Sequence, residues 1–135
     1  MIYIANFWND PSFSKIKVYS NCEEVELHLN GKQIARKGPD KDRISNNLNH
    51  PPFTFYPANF EEGTLEAVGY IDGKKVANHK QVTPVAPAKI VLSADLSNKP
   101  LEAGCNDAIF IYASIQDANG ILVSDDSSQV EFQVA

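Results

Sequence analysis

Between Val25 and Leu29 the chain alternates strictly, with Val25, Leu27 and Leu29 facing one way and Glu24, Glu26 and His28 the other. A period of two with one apolar and one charged face predicts a half-buried antiparallel strand whose outer face is wet. Asn30-Gly31 follows, a pair suited to the two positive φ angles of a type I′ turn, so "VELHLNGKQIAR" reads as a hairpin. The same grammar returns in "TLEAVGYIDGKKVANHK" around Asp72-Gly73 and in "FIYASIQDANGILV" around Asn119-Gly120. Three hairpin turns and no convincing helical period predict an all-β chain of antiparallel sheets.

Between these runs the pattern breaks in informative ways. Residues 38 to 49, "GPDKDRISNNLN", are polar and aperiodic, which predicts a long exposed loop. His50-Pro51-Pro52 then leads into "FTFYPANF". Proline cannot donate to a ladder, so this segment is expected at a sheet edge or corner. "TPVAPA", from Thr83 to Ala88, marks a change of composition and suggests a short stiff link. The expected organisation is a complete immunoglobulin-like β-sandwich over residues 1–83, a Pro-rich linker over 84–88, and a second unit over 89–135. That second unit offers only "KIVLSADL", "AIFIYASIQD" and "SQVEFQV" as strands. Three strands cannot close a two-sheet sandwich, so it is expected to be a partial, truncated immunoglobulin-like domain.

Composition narrows the function classes. The 135 residues are 43% hydrophobic, enough for a packed core, and the formal net charge is -5 with Lys and Arg scattered singly or in pairs. Neither a nucleic-acid groove nor a polybasic membrane patch is expected. The longest apolar run, Ala108 to Ile115, is too short to span a bilayer. "MIYIANFWND" lacks the basic start and small-residue cleavage site of a signal peptide. Cys22 and Cys105 match no metal or redox spacing and are expected to be packed thiols.

The candidate chemistry is thin. Glu23-Glu24 and Glu61-Glu62 are adjacent carboxylate pairs, but neighbours on a strand point to opposite faces. A retaining glycosidase needs two carboxyl groups about 5 to 5.5 Å apart on one sugar. His28, His50 and His79 have no metal-ligand spacing. Asp40 with Asp42, and Asp125 with Asp126, lack the rest of an EF-hand loop. No catalytic residue, metal site or cofactor is expected. Aromatic side chains are the one feature that could carry binding, because sugar rings stack on exposed aromatic faces. Trp8, Phe13, Tyr19, Tyr56 and Tyr70 are the candidates for glycan or interdomain contact.

Several stretches together resemble the region after the catalytic barrel in bacterial family 2 glycoside hydrolases of the β-galactosidase type. They are "YIANFW" (3–8), "VYSNCEEVELHLNGK" (18–32), "HPPFTF" (50–55), "GTLEAVGYIDGKKVA" (63–77) and "PAKIVLSAD" (87–95). From Pro87 onward the chain resembles the opening half of a bacterial immunoglobulin-like, invasin-type domain, although such domains have a small or acidic residue where Cys105 stands. The resemblance implies a parent enzyme that cleaves terminal β-galactosyl or similar linkages with two glutamates in a (β/α)₈ barrel. A barrel of that kind needs roughly 250 residues, so the catalytic pair is not expected here. The implied partners are the barrel and remaining domains of the parent, with periplasmic or secreted localisation. A homodimer through residues 87–135, by strand addition to an unpaired edge, is a further expectation. The alternative is a free-standing carbohydrate-binding or adhesin-like module.

Overall fold

A computed structural model describes residues 1–9, 12, 14–96, 104 and 108–133. The chain divides into two compact units, Met1–Thr83 and Pro84–Ala135. No α-helix occurs among the described residues, and the expected antiparallel β class is borne out.

The first unit is a two-sheet sandwich. One sheet has the order β1-β2-β5, from Ile2–Ile4, Ile16–Ser20 and Phe53–Phe55. The other has the order β4-β3-β6-β7, from Lys32–Lys37, Glu24–Leu29, Thr64–Ile71 and Lys74–Val82. All pairings are antiparallel. The alternation read from sequence decides which side chains meet. Ile2, Ile4, Ile16, Val18, Phe53 and Phe55 face Val25, Leu27, Leu29, Leu65 and Ala67 to form one continuous core. β5 is an edge strand, as its Pro-Pro entry predicts.

Turn chemistry sets the registers. Asn30 and Gly31 have φ of 50° and 80°, and Asp72 and Gly73 have 50° and 71°. Leu29 therefore faces Lys32, and Ile71 faces Lys74, across two-residue type I′ turns. Each hairpin then shifts register two residues later. Leu27 pairs with Ala35 but His28 with Gln33, which leaves Ile34 as a bulge. Gly69 pairs with Ala77 but Tyr70 with Lys75, which leaves Val76 as a bulge.

The loop over 38–49 is less featureless than its sequence. It contains a turn of 3₁₀ helix, Ser45–Asn47, whose start is held by the Asp42 carboxylate accepting from the Ile44 and Ser45 N–H groups at 2.8 Å each. Asp40 accepts from Lys37 Nζ at 2.7 Å, the Thr54 N–H at 3.1 Å and the Thr54 hydroxyl. One carboxylate thus ties the end of β4 to β5 in the opposite sheet. Burial pushes the Asp40 carboxyl upward, but the bonds from Lys37 and Thr54 outweigh it and hold the group below the usual aspartate range.

In the second unit β8, Pro87–Asp95, pairs antiparallel with β9, Phe110–Asp117. β8 begins inside the segment read from sequence as a linker. The third expected hairpin also differs. Among Ala118, Asn119 and Gly120 only Gly120 is left-handed, with φ of 84°, and the return strand shrinks to a single bridge between Gln116 and Leu122. Asp117 explains the loop. It is 1% exposed, and its carboxylate accepts from the Val85, Asn119 and Ile121 N–H groups at 3.1, 2.8 and 2.8 Å. Residues 128–133 of the expected strand "SQVEFQV" are not in a strand, because period-two patterning supplies a face and not a pairing partner. Ile90, Leu92, Phe110 and Tyr112 of the β8–β9 ribbon are more than half exposed.

Candidate functional site: a polar ladder and a groove in the first unit

The expected wet face of β3 is half buried. Register places Glu24 and Glu26 beside Arg36 of β4 on one side and Tyr70 of β6 on the other. Glu26 accepts from the Tyr70 hydroxyl at 2.7 Å, from Arg36 Nη1 at 2.9 Å and from His28 Nε2 at 3.1 Å. Arg36 also donates to Glu24 at 2.6 and 3.2 Å, and its guanidinium lies 4.6 Å from the Tyr70 ring centroid. The Tyr70 hydroxyl is the largest influence on Glu26 and lowers its carboxyl below the usual glutamate range. Partial burial opposes it, and His28 and Arg36 reinforce it. The same bond raises the Tyr70 phenol. A carboxylate held ionised by three donors suits a structural cross-strand brace, whereas a glycosidase acid must hold a proton near neutral pH.

The sequence-selected aromatics separate into different roles. Trp8 is 1% exposed and is therefore not a surface platform. Its ring lies 4.8 Å from that of Phe60, and its indole Nε1 donates to the Glu61 carbonyl at 2.9 Å. Burial of so large a ring with its polar edge satisfied makes it core. Tyr70 is engaged in the ladder. Tyr19 is 44% exposed on the outer face of the three-stranded sheet, directly opposite Tyr3 in register. Tyr56 is 75% exposed. Phe13 lies outside the described residues, as does Cys105, while Cys22 is a buried free thiol. Of the carboxylate pairs, Glu23 accepts from the Asp72 N–H and Glu61 from the Asn30 side chain, so each braces a turn. No cluster of three or more potential metal-ligating side chains occurs among the described residues.

Tyr56 stands at a groove that periodicity could not reveal. A cleft of about 530 Å³ runs between the outer edge of β4 and the segment that follows β5. Leu29, Ala35 and Phe55 are among its apolar lining residues, and Lys32, Gln33, Asn59 and Glu61 add polar groups. Asn30 fixes one end. Its Nδ2 donates to Glu61 Oε1 at 2.8 Å and to the Glu62 carbonyl at 2.9 Å, and its Oδ1 accepts from the Thr64 N–H at 2.9 Å. Gly63 passes beneath with φ of 129°, where a Cβ would come 2.0 Å from Asn30 Oδ1. Only glycine permits both that backbone and that approach.

A domain family described as a domain of unknown function, DUF4982, matches residues 14–77. The chain is 31% identical over 141 residues to a β-galactosidase of Thermoanaerobacter pseudethanolicus, covering 98% of this chain and 19% of that protein. It is 29% identical to the β-galactosidase BoGH2A of Bacteroides ovatus, covering 99% of this chain and 15% of that protein. Among solved structures, a family 2 β-glucuronidase superposes with a TM-score of 0.74 at 25% identity, covering 90% of this chain and 12% of that one. A family 2 glycosyl hydrolase from Bacteroides cellulosilyticus gives 0.67 at 30% identity, covering 86% and 15%. The chain corresponds to a segment of family 2 glycoside hydrolases. The resemblance read from "VYSNCEEVELHLNGK" and "GTLEAVGYIDGKKVA" is thereby borne out. This family 2 segment spans less than a fifth of the length of the relatives it matches.

Proposed function

We propose that this chain is a non-catalytic β-sandwich segment of a β-galactosidase- or β-glucuronidase-like hydrolase, bracing and spacing the domains of the parent. One observation carries the reading: relatives with those activities match nearly the whole chain, while the chain covers only 12% to 19% of them. The described carboxylates fit it. Glu26 is locked by Tyr70, Arg36 and His28, and Glu61 is held by Asn30. In this reading the catalytic barrel is a partner within the parent polypeptide, and the parent works in the periplasm or outside the cell.

Two measurements test it. The purified 135-residue chain is expected to show no hydrolysis of chromogenic β-galactosides or β-glucuronides above background. Turnover that copurifies with the chain and survives removal of contaminating hydrolase would overturn the assignment. An antibody against the chain is expected to detect a polypeptide several-fold larger in extracts of the source cells, and a band at the chain's own mass would oppose the reading. The exposed faces of the β8–β9 ribbon support an accompanying proposal, self-association through residues 87–135. Light scattering is expected to show dimer at high concentration, and a strict monomer would remove that part alone.

A further inference from the structure

The groove beside β4 has the size, the shape and a lining that select one class of ligand. Its volume of about 530 Å³ falls within the roughly 300–1,000 Å³ of ordinary small-molecule sites. Its apolar side includes Leu29 and Phe55, which are 8% and 3% exposed and belong to the core. These residues cannot retreat from the groove without unpacking the sandwich. The rim carries the Tyr56 ring, 75% exposed, as a flat face presented to solvent.

The polar groups are as specific as the aromatic one. Gln33 and Asn59 supply neutral amides, each able both to donate and to accept. Lys32 and Glu61 supply one charge of each sign, so the lining has no net preference for an ion. Glu61 is positioned in advance, since Asn30 holds its carboxylate and the Trp8 indole holds its carbonyl. A preset wall lowers the ordering cost of binding.

A β-strand from another chain is the competing occupant, because β4 is a sheet edge. The edge is guarded against it. The register shift leaves Ile34 without a cross-strand counterpart and interrupts the ladder, and Lys32 places a lysine on the same strand. Bulges and lysines are the devices by which sheet edges refuse strand addition.

A flat aromatic face, two amides, balanced charge and a fixed carboxylate match a molecule with one apolar face and a rim of hydroxyls. We propose that this groove is a binding site for a neutral saccharide, with a pyranose ring stacked on Tyr56 and its hydroxyls bonded to Gln33, Asn59 and Glu61. The proposal is independent of hydrolysis, and its failure would leave the accessory reading untouched.

The test is a titration of the isotope-labelled 135-residue chain, followed by backbone amide NMR, with lactose, with sodium glucuronate and with the acyclic polyol mannitol. Lactose is expected to shift amides within residues 32–35 and 55–61 and to saturate at concentrations on the order of 10 mM, since a single stacked ring supports only weak affinity. Tyr56→Ala, at an exposed position, is expected to weaken binding about tenfold while leaving the rest of the spectrum in place. Gln33→Ala is expected to weaken it about threefold by removing one hydrogen-bonding partner. Absence of shifts with lactose, shifts confined to other surfaces, or equal shifts with mannitol would overturn the proposal. So would tighter binding of glucuronate, or unchanged affinity in both variants.

Discussion

Replacing Asn30 separates the two tasks of that residue, because its backbone makes the turn while its side chain clamps the loop at residues 61–64. The carboxamide makes three hydrogen bonds, at 2.8, 2.9 and 2.9 Å, all solvent-exposed. Solvent-exposed bonds belong at the low end of the usual range, about 0.5 kcal/mol each, so their loss costs about 1.5 kcal/mol in total. Asn30→Gly keeps the φ of 50° without strain, but frees the unfolded chain by about 0.5 kcal/mol more. Its expected destabilisation is therefore about 2 kcal/mol, or roughly 8 to 16 °C in the melting temperature of a unit this size. Asn30→Asp keeps the acceptor for Thr64 and loses two donors, costing about 1 kcal/mol. It also places a carboxylate against Glu61, at a cost of about 1 kcal/mol in a water-like medium. The two variants are thus expected to be nearly equal in stability at pH 7. Urea unfolding of the full chain, followed by the fluorescence of Trp8 and by circular dichroism, measures each value. If both variants lay within about 0.5 kcal/mol of the unmodified chain, the error expected of contact-based reasoning, the clamp would have no energetic role and the argument would fail.

Three further predictions rest on separate features. A Cβ on Gly69 would sit 2.4 Å from Cys22 Sγ and 3.3 Å from its Cβ, so Gly69→Ala is expected to cost about 1–3 kcal/mol; adding Cys22→Ala should recover part of it, and strictly additive urea midpoints would contradict the contact. Asp40 has a lowered folded-state pKa, so its contribution is complete above the unfolded value and disappears as pH falls through the folded one. Asp40→Asn should therefore reduce stability at pH 6 and flatten the acid limb, and urea midpoints at pH 6 and pH 3 that fall in parallel with those of the unmodified chain would refute this. Asp117→Ala removes the acceptor for three backbone N–H groups, so hydrogen exchange should accelerate around Val85 and Asn119–Ile121 while the protection of β3 and β6 is unchanged.

Much of the first unit was legible because its determinants are local. Val25, Leu27 and Leu29 declare a face, and Asn30-Gly31 and Asp72-Gly73 declare turns whose φ values are those the residue types favour. What sequence could not disclose depends on partners far along the chain. Trp8 sits in "NFWND", which has no period, and becomes core because the Glu61 carbonyl satisfies its indole. Asp40 lies in an aperiodic polar stretch, yet it joins β4 to β5 through Thr54. Tyr56 was visible as an aromatic, but Gln33 and Asn59 became its companions only when the edge of β4 met the segment after β5. In the second unit "SQVEFQV" had the pattern of a strand, yet its described residues, 128–133, are not in one. Asp117 had no pattern at all, although its carboxylate organises the loop after β9.

The two hairpins of the four-stranded sheet are built alike: a left-handed pair, two paired residues, then a bulge at Ile34 in one and Val76 in the other. The resemblance has a kinetic consequence. Each hairpin needs only near-neighbour contacts, and such elements close in about 1–10 μs. The slow event in forming the sheet is then the docking of two ready-made halves, when β3 meets β6 across the loop and the whole of β5. Substitutions at Gly31 and Gly73 should act largely on the folding rate. Substitutions along the β3–β6 seam, such as Leu27→Ala or Ala67→Gly, should report how far docking has advanced at the barrier. A sheet assembled this way commits to its width before it commits to its core, since each half arrives with a bulge already interrupting its outer strand.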